Sequence, residues 1–274
     1  LINARAAFIA SFMLLTLAPF WYYANLSMLN TIPMIFCLLA GFYVLVKQSE
    51  IKSDQLKLVL TFAGGLLISF AIFIRYIEFI WIVLLVLVLW LFYFRKTSLM
   101  QIAVFVFGAA IPLVTLLYYN YEIYGEVFTV GYLKMNSEAD LFGRLPGEFA
   151  VQNSNSILDY IKFLIIPFGF NPKAILKTAF AFVYEFLNPY FFAFVIGGVY
   201  WLYKYVRKQL SKAQKTYFWM ALLSCCWLIF FYGNWKFIDP LVLKNNTIGS
   251  SYARYWLPVY IMMLPFIAFW LDKV

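Results

Sequence analysis

The sequence contains no histidine in its 274 residues and only 3 cysteines. Each of these cysteines, Cys37, Cys225 and Cys226, lies within an apolar run. Zinc sites use histidine and cysteine as their main ligands, and a disulfide framework needs cysteines at regular spacings in polar segments. The sequence therefore gives no support for a metal site, for histidine-based catalysis or for a fold held together by disulfides.

Charged residues are also scarce, at 12% of the chain, whereas 65% of the residues are hydrophobic and 22% are aromatic. With a mean hydropathy of +0.84, this composition lies outside the range of soluble globular domains. It predicts an all-α, polytopic membrane protein. The net charge of +9 is concentrated on one side of the predicted topology. That is the positive-inside pattern of membrane proteins, so the charge does not indicate binding of nucleic acid.

Long runs without charge predict where the chain crosses the membrane. Residues 58–74 and 79–94 are uncharged, and each run is about 25 Å long as a helix, close to the thickness of the hydrocarbon core. We predict that these two runs fold back on each other around Arg75 and Glu78. Extended to the whole sequence, the pattern predicts eight crossings, at 6–21, 30–46, 58–74, 79–94, 98–121, 186–203, 216–235 and 255–271.

The charges of the loops set the predicted orientation. The basic loop 204–215 is expected in the cytoplasm, together with both ends of the sequence. Residues 122–177 form an extended loop on the other side, and residues 156–166 within it predict a helix lying in the membrane interface, too short to cross. The sequence begins with Leu1, and we interpret it as one transmembrane domain, 1–274, that is a fragment of a longer plasma-membrane protein.

Two arginines are the main candidates for binding an anion at headgroup depth. Arg75 precedes Glu78 by three residues, which is compatible either with an ion pair in the turn or with a phosphate contact by the guanidinium, with Tyr76 beside it. Arg254 opens the last crossing and either anchors the interface among aromatic residues or supplies a second cation at the depth of Arg75. Asn120 lies where the crossing 98–121 meets the outer loop.

Several stretches together resemble the GT-C superfamily of polyprenyl-phosphate-dependent membrane glycosyltransferases, in particular the branch of protein O-mannosyltransferases and lipid A aminoarabinose transferases. The resemblance covers nearly the whole chain in order. The stretches are Ala18-Pro-Phe-Trp-Tyr-Tyr23, Asn30-Thr-Ile-Pro33, Ala71-Ile-Phe-Ile-Arg-Tyr76, Ile111-Pro112 to Tyr119-Asn120, Tyr124-Gly125, Thr129-Val-Gly-Tyr132 and Arg254-Tyr-Trp-Leu-Pro258.

The resemblance implies transfer of a sugar from a polyprenyl-phosphate carrier to a lipid, glycan or protein acceptor on the outer face of the membrane, by an inverting mechanism and without a further cofactor. The catalytic carboxylate of the family is expected upstream of Leu1. Arg75, Tyr76 and Arg254 match positions near the carrier phosphate. Glu78, Asn30, Asn120 and Tyr255 are expected to line the site. Thr31 departs from the family, because many relatives have an acidic residue there.

Two other functions remain open. An oligosaccharide polymerase or ligase with a lipid-pyrophosphate donor would share the arginines and the outer loops. A transporter of lipids or solutes would be expected to have charges in mid-membrane or paired broken helices, and none of the predicted crossings carries a charge at its centre.

Overall fold

The computed structural model describes residues 3–26, 30–93, 97–125, 127, 165, 169–235 and 247–274. Every element in these residues is helical, which confirms the prediction of an all-α protein. The α-helices are α1 (Ala4–Thr16), α2 (Ala18–Asn25), α3 (Thr31–Gln48), α4 (Asp54–Ile74), α5 (Phe79–Tyr93), α6 (Leu99–Tyr124), α7 (Pro172–Ala179), α8 (Asn188–Val206), α9 (Lys212–Gly233) and α10 (Leu257–Leu271). Two 3₁₀ turns, Tyr76–Glu78 and Ser251–Trp256, and a π-helical segment, Phe180–Glu185, complete them.

Local sequence signals fix several helix ends. The Ser53 hydroxyl caps α4 by accepting from the Leu56 amide, and Asp54 places a negative charge in the first turn. Ser98 and Gln101 form a reciprocal capping box at the start of α6. That helix ends at Gly125, whose φ of 74° is readily adopted only by glycine.

Five described helices are long and apolar enough to cross a membrane: Thr31–Gln48, Asp54–Ile74, Leu99–Tyr124, Lys212–Gly233 and Tyr252–Leu271. Two bent pairs raise the number to seven if each pair counts as one span. The apolar helix Tyr76–Phe92, where we predicted the crossing 79–94, is shorter than these. The protein is thus a membrane-embedded helical protein, and the number of eight crossings stays a prediction.

The first bent pair interrupts the crossing predicted at 6–21, whereas the bend of the second lies at the start of the crossing predicted at 186–203. Leu17 has an extended backbone between α1 and α2, and the next two residues are Ala18 and Pro19, whose ring cannot continue the hydrogen bonding of α1. The two helices meet at 56°. A sharper bend of 99° separates Pro172–Glu185 from Asn188–Val206.

The chain divides into two compact units, each assembled from segments that are distant in sequence. The first contains Leu1–Ile2, Leu15–Thr129 and Lys204–Ser224, and the second contains Asn3–Leu14, Val130–Tyr203 and Cys225–Val274. A single transmembrane domain over 1–274 stays a prediction.

In the first unit, α4 packs mainly against α3 and α6 and only marginally against α5. This corrects the expectation that residues 58–74 and 79–94 lie folded on each other. Glycines explain the choice of neighbour, because a Cβ at Gly65 would overlap the Phe105 carbonyl and one at Gly108 would overlap the Phe62 carbonyl. The backbones of α4 and α6 therefore approach closely, and the Ser69 hydroxyl donates across them to the Ala109 carbonyl at 2.6 Å.

In the second unit, α10 is the central helix, and most of its side chains are buried. Gly197 of α8 lies against the backbone of Phe266, and the Trp201 ring contacts those of Phe266 and Phe269 with centroids 4.7 Å apart in each case. The Tyr260 hydroxyl donates to the carbonyl of Phe182 at 2.8 Å, which ties α10 to the π-helical segment.

The predicted loops are only partly within the described residues. Of the outer loop 122–177, the structure describes the end of α6, isolated positions and residues 169–177, where α7 begins. The predicted interfacial helix at 156–166 lies outside the described residues except for Ile165. The basic loop 204–215 is shorter than predicted, because α8 extends to Val206 and α9 begins at Lys212.

Candidate anion-binding arginines

Arg75 lies at the junction where α4 ends. Its backbone has φ −144° and ψ 81°, outside the helical region, and the 3₁₀ turn Tyr76–Glu78 follows directly. The Arg75 amide still donates to the Ala71 carbonyl at 3.1 Å, and the Glu78 amide donates to the Arg75 carbonyl at the same distance. The chain thus changes direction without leaving these two amides unsatisfied, and the turn brings both charged side chains together.

The Arg75 guanidinium has two protein partners of known geometry. Its Nη2 lies 2.8 Å from Glu78 Oε1, and its Nη1 donates to Thr31 Oγ1 at 2.9 Å. The side chains of Arg75 and Glu78 are only 4% and 1% exposed. The ion pair, one of the two roles that the spacing allowed, is therefore present, and the packing of the first unit buries it.

Trp81 is a further partner of Glu78. Its Nε1 donates to Glu78 Oε2 at 2.5 Å, so each carboxylate oxygen has a donor. Burying an ion pair costs several kcal/mol of desolvation per ion, which only good geometry and further hydrogen bonds offset. Thr31 and Trp81 supply those bonds, so the pair is held firmly at the end of α4.

The polar residues predicted around Arg75 have separate local partners. The Asn30 side chain donates to the Ile74 carbonyl at 3.3 Å and so joins the start of α3 to the end of α4. Tyr76 is half-buried in the 3₁₀ turn. Asn120 donates to the Val127 carbonyl at 3.2 Å, where it fastens the chain beyond the end of α6. Of the predicted set, Arg75, Glu78 and Asn30 are thus brought together at the end of α4.

Arg254 belongs to the second unit and has a different environment. It lies in the 3₁₀ turn Ser251–Trp256, which begins where the Ser250 hydroxyl accepts from the Tyr252 amide. Its Nη2 donates to the Tyr255 hydroxyl at 3.1 Å, and its guanidinium carbon lies 5.0 Å from the centroid of the Tyr255 ring. This arrangement combines a hydrogen bond with a cation–π contact.

The charge of Arg254 is not balanced by the described part of the chain. Within those ranges, no carboxylate lies within ion-pair distance of its guanidinium. Its Nε atom is buried and has no hydrogen-bond partner there. A buried donor without an acceptor costs about 1–3 kcal/mol, and more when it is charged. Arg254 is therefore the arginine whose environment best accommodates an added anion.

Aromatic residues hold Tyr255 in place beneath Arg254. Its ring centroid lies 5.0 Å from those of Tyr232 and Trp235, and only 4% of the residue is exposed. The Tyr252 hydroxyl donates to the Tyr232 carbonyl and so closes the turn onto the end of α9. The position of Arg254 is thus set by a rigid support.

Two residues that contact Arg75 or Glu78 were absent from the predicted site. Trp81 follows Glu78 by three residues, so helical spacing could have indicated it. Thr31 is 44 residues from Arg75, and no local sequence pattern indicates their contact. In this structure the Thr31 hydroxyl occupies the place where an acidic side chain would bring a second negative charge to Arg75.

Searches of protein-family models, of curated proteins and of solved structures find no match to this chain. The resemblance to the GT-C superfamily therefore rests on the quoted stretches alone and stays a prediction.

Proposed function

We propose that this chain belongs to a membrane glycosyltransferase that takes a sugar from a polyprenyl-phosphate carrier and passes it to an acceptor at the membrane surface. The observation that carries the proposal is Arg254, a half-buried arginine with a buried, unpartnered Nε and no balancing carboxylate among the described residues. A carrier phosphate would supply both the charge and the acceptor.

The position of Arg254 suits a lipid phosphate. It lies three residues before the start of α10, and the candidate span Tyr252–Leu271 begins two residues before it, so the guanidinium belongs to the end of a span. The partial positive charge at the start of a helix adds to the attraction for an anion. A polyprenyl chain would extend into the hydrocarbon while its phosphate stays at this depth.

The same contact would assist sugar transfer. When the bond between the sugar carbon and the phosphate oxygen breaks, negative charge accumulates on the departing phosphate. A fixed arginine in a partly dry site stabilises that charge more effectively than water does. Arg75 is the second proposed contact, and it supports the proposal less directly because Glu78 already neutralises it.

Binding of the carrier tests the proposal without requiring a catalytic base. The purified chain in detergent would be titrated with a polyprenyl phosphate and, in parallel, with the uncharged polyprenol of the same length. We expect tighter binding of the phosphate and a loss of about 10- to 100-fold in Arg254→Ala, the range expected for charge-assisted hydrogen bonds. Arg254→Lys should recover part of the affinity.

The matched control is Arg207→Ala, which removes an arginine from the loop between α8 and α9. It should bind the phosphate like the unchanged chain. Equal binding of phosphate and alcohol, or equal affinities for Arg254→Ala and the unchanged chain, would contradict the proposal. Stronger binding of a polyprenyl pyrophosphate than of the monophosphate would favour the polymerase or ligase.

A further inference from the structure

α7 has one exposed face that combines cations with large apolar groups. The side chains of this face follow the three- and four-residue spacing of one helical stripe, and all are exposed: Lys173, Leu176, Lys177 and Phe180, the last at the start of the π-helical segment. The positions between them are partly buried: Ala174, Ile175, Thr178 and Ala179. Leu176 and Phe180 are 71% and 53% exposed, so this face carries two large apolar side chains that the described residues leave uncovered.

Contacts at its start place α7 at the level where a span ends. The Asn171 amide donates to Asn234 Oδ1 at 2.7 Å. A Cβ at Gly233 would lie 3.0 Å from the α-carbon of Ile175, so the two backbones touch. Gly233 is the last residue of the candidate span Lys212–Gly233. The start of α7 therefore lies at the membrane surface.

The direction of α7 follows from the sharp bend before α8. Pro172–Glu185 and Asn188–Val206 meet at 99°. If α8 runs across the membrane, α7 runs along it. An amphipathic helix that lies along the interface buries its apolar side chains at the boundary between headgroups and acyl chains.

The positive charges of this face are not neutralised by the described residues. Neither Lys173 nor Lys177 lies within ion-pair distance of a carboxylate of the described chain. The first turn contains no acidic residue, so Lys173 adds a positive charge to the positive end of the helix dipole. An anion beside this turn would relieve that repulsion.

We propose that α7 lies in the headgroup layer and binds anionic phospholipids. Leu176 and Phe180 enter the acyl boundary, and Lys173 and Lys177 reach the lipid phosphates with their aliphatic stems along the apolar surface. This inference is independent of the proposed sugar transfer, because it involves neither Arg254 nor Arg75.

Depth-dependent fluorescence quenching tests the placement. In a variant with Cys37, Cys225 and Cys226 replaced by alanine, Leu176→Cys would be labelled and the chain reconstituted in vesicles of phosphatidylglycerol and phosphatidylcholine. Spin labels near the headgroup should quench this label more strongly than spin labels near the bilayer centre. A label at Val114→Cys, within the span Leu99–Tyr124, should show the opposite order. Strongest quenching of the 176 label from the bilayer centre, or no quenching by lipid, would overturn the proposal.

The preference for anionic lipid is measured with the same fluorescent label at residue 176. The shallow spin label is carried on phosphatidylglycerol in one sample and on phosphatidylcholine in another, and quenching of the 176 label is compared. We expect the comparison to show that phosphatidylglycerol is enriched near residue 176 by about tenfold or more, because each nearby lysine contributes about fivefold. Lys173→Gln with Lys177→Gln should abolish this enrichment. The matched pair Lys208→Gln with Lys215→Gln removes the same charge from the α8–α9 loop and the first turn of α9, and it should preserve the enrichment.

If the cysteine-free variant does not fold, native mass spectrometry of the chain with its cysteines intact replaces the fluorescence. The ratio of retained phosphatidylglycerol to phosphatidylcholine should fall in the Lys173/Lys177 pair and not in the Lys208/Lys215 pair. Equal ratios for both pairs would refute the lipid contact.

Discussion

The spacing of Arg75 and Glu78 in the sequence allows an ion pair, but it does not indicate which other residues contact that pair. Their i,i+3 spacing is visible in the sequence and is compatible with the ion pair that the structure contains, although it left an anion contact of Arg75 equally open. The contact with Thr31 depends on how α3 packs beside α4, and no local pattern reports it. Likewise, the sequence shows Arg254 among aromatic residues but does not show that its Nε has no acceptor among the described residues.

Removing Glu78 should destabilise the protein more than removing the whole pair. Glu78→Ala leaves the Arg75 guanidinium buried without its carboxylate, which we expect to lower the free energy of unfolding by about 3–5 kcal/mol. Arg75→Met combined with Glu78→Leu replaces both charges by apolar groups and should be closer to the unchanged chain. Thermal unfolding in detergent measures both, and equal losses in the two variants would argue against a pairwise electrostatic role.

The double variant also separates the two interpretations of Arg75. If it is as stable as the unchanged chain but binds polyprenyl phosphate several-fold more weakly, Arg75 contributes to the carrier site. If stability and binding are both unchanged, Arg75 is not part of the carrier site.

At the scale of the helices, the positions of helices could be predicted where the absence of charge in a run of sequence determines them. The charge-free runs 58–74 and 98–121 coincide with α4 and α6, and the caps Ser53 and Ser98 explain where these helices begin. The break at Leu17 was missed because it occurs inside a run without charge. The 99° turn before Asn188 follows Glu185 and lies at the edge of the predicted crossing 186–203, where the charge pattern marks the start of a crossing but not a bend. Pairing of helices was also missed, since it depends on which faces carry glycine.

The glycines between α4 and α6 give a test of that pairing. Gly65→Ala places a methyl group against the Phe105 carbonyl, and overpacking of this kind is expected to cost about 1–3 kcal/mol. Gly198→Ala is the matched control, because nothing lies within 4 Å of a Cβ there and alanine favours the helix. Thermal unfolding should show a lower midpoint for the first variant and an equal or higher one for the second. Similar midpoints would mean that α4 and α6 can separate without loss.

At the scale of the whole molecule, composition was the strongest guide. It predicted a membrane-embedded, all-helical chain, and the described residues contain five helices suited to crossing a membrane. Composition does not indicate which helix ends lie close to one another in the folded protein. Arg75 and Arg254 belong to different units, so the shared carrier site stays a prediction.

The two ends of the second unit are joined by a contact whose strength should depend on pH. The Asn3 side chain donates to Asp272 Oδ2 at 2.7 Å, and Lys273 lies 2.9 Å from the same atom. Hydrogen bonds from Lys273 and then from Asn3 lower the pKa of the Asp272 carboxyl. Its contribution to stability is therefore complete above the usual aspartate pKa of about 4, and it is lost as the pH falls through the lowered value.

Asp272→Asn should consequently lower the unfolding midpoint at pH 7, and the difference from the unchanged chain should shrink as the pH falls below about 4. Lys273→Met removes the larger cause of the pKa shift, so it should weaken this pH dependence while retaining the bond from Asn3. Unfolding midpoints in detergent between about pH 7 and about pH 3 provide the measurement. A difference that stays constant over that range would show that the Asp272 carboxylate is not what holds the two ends together.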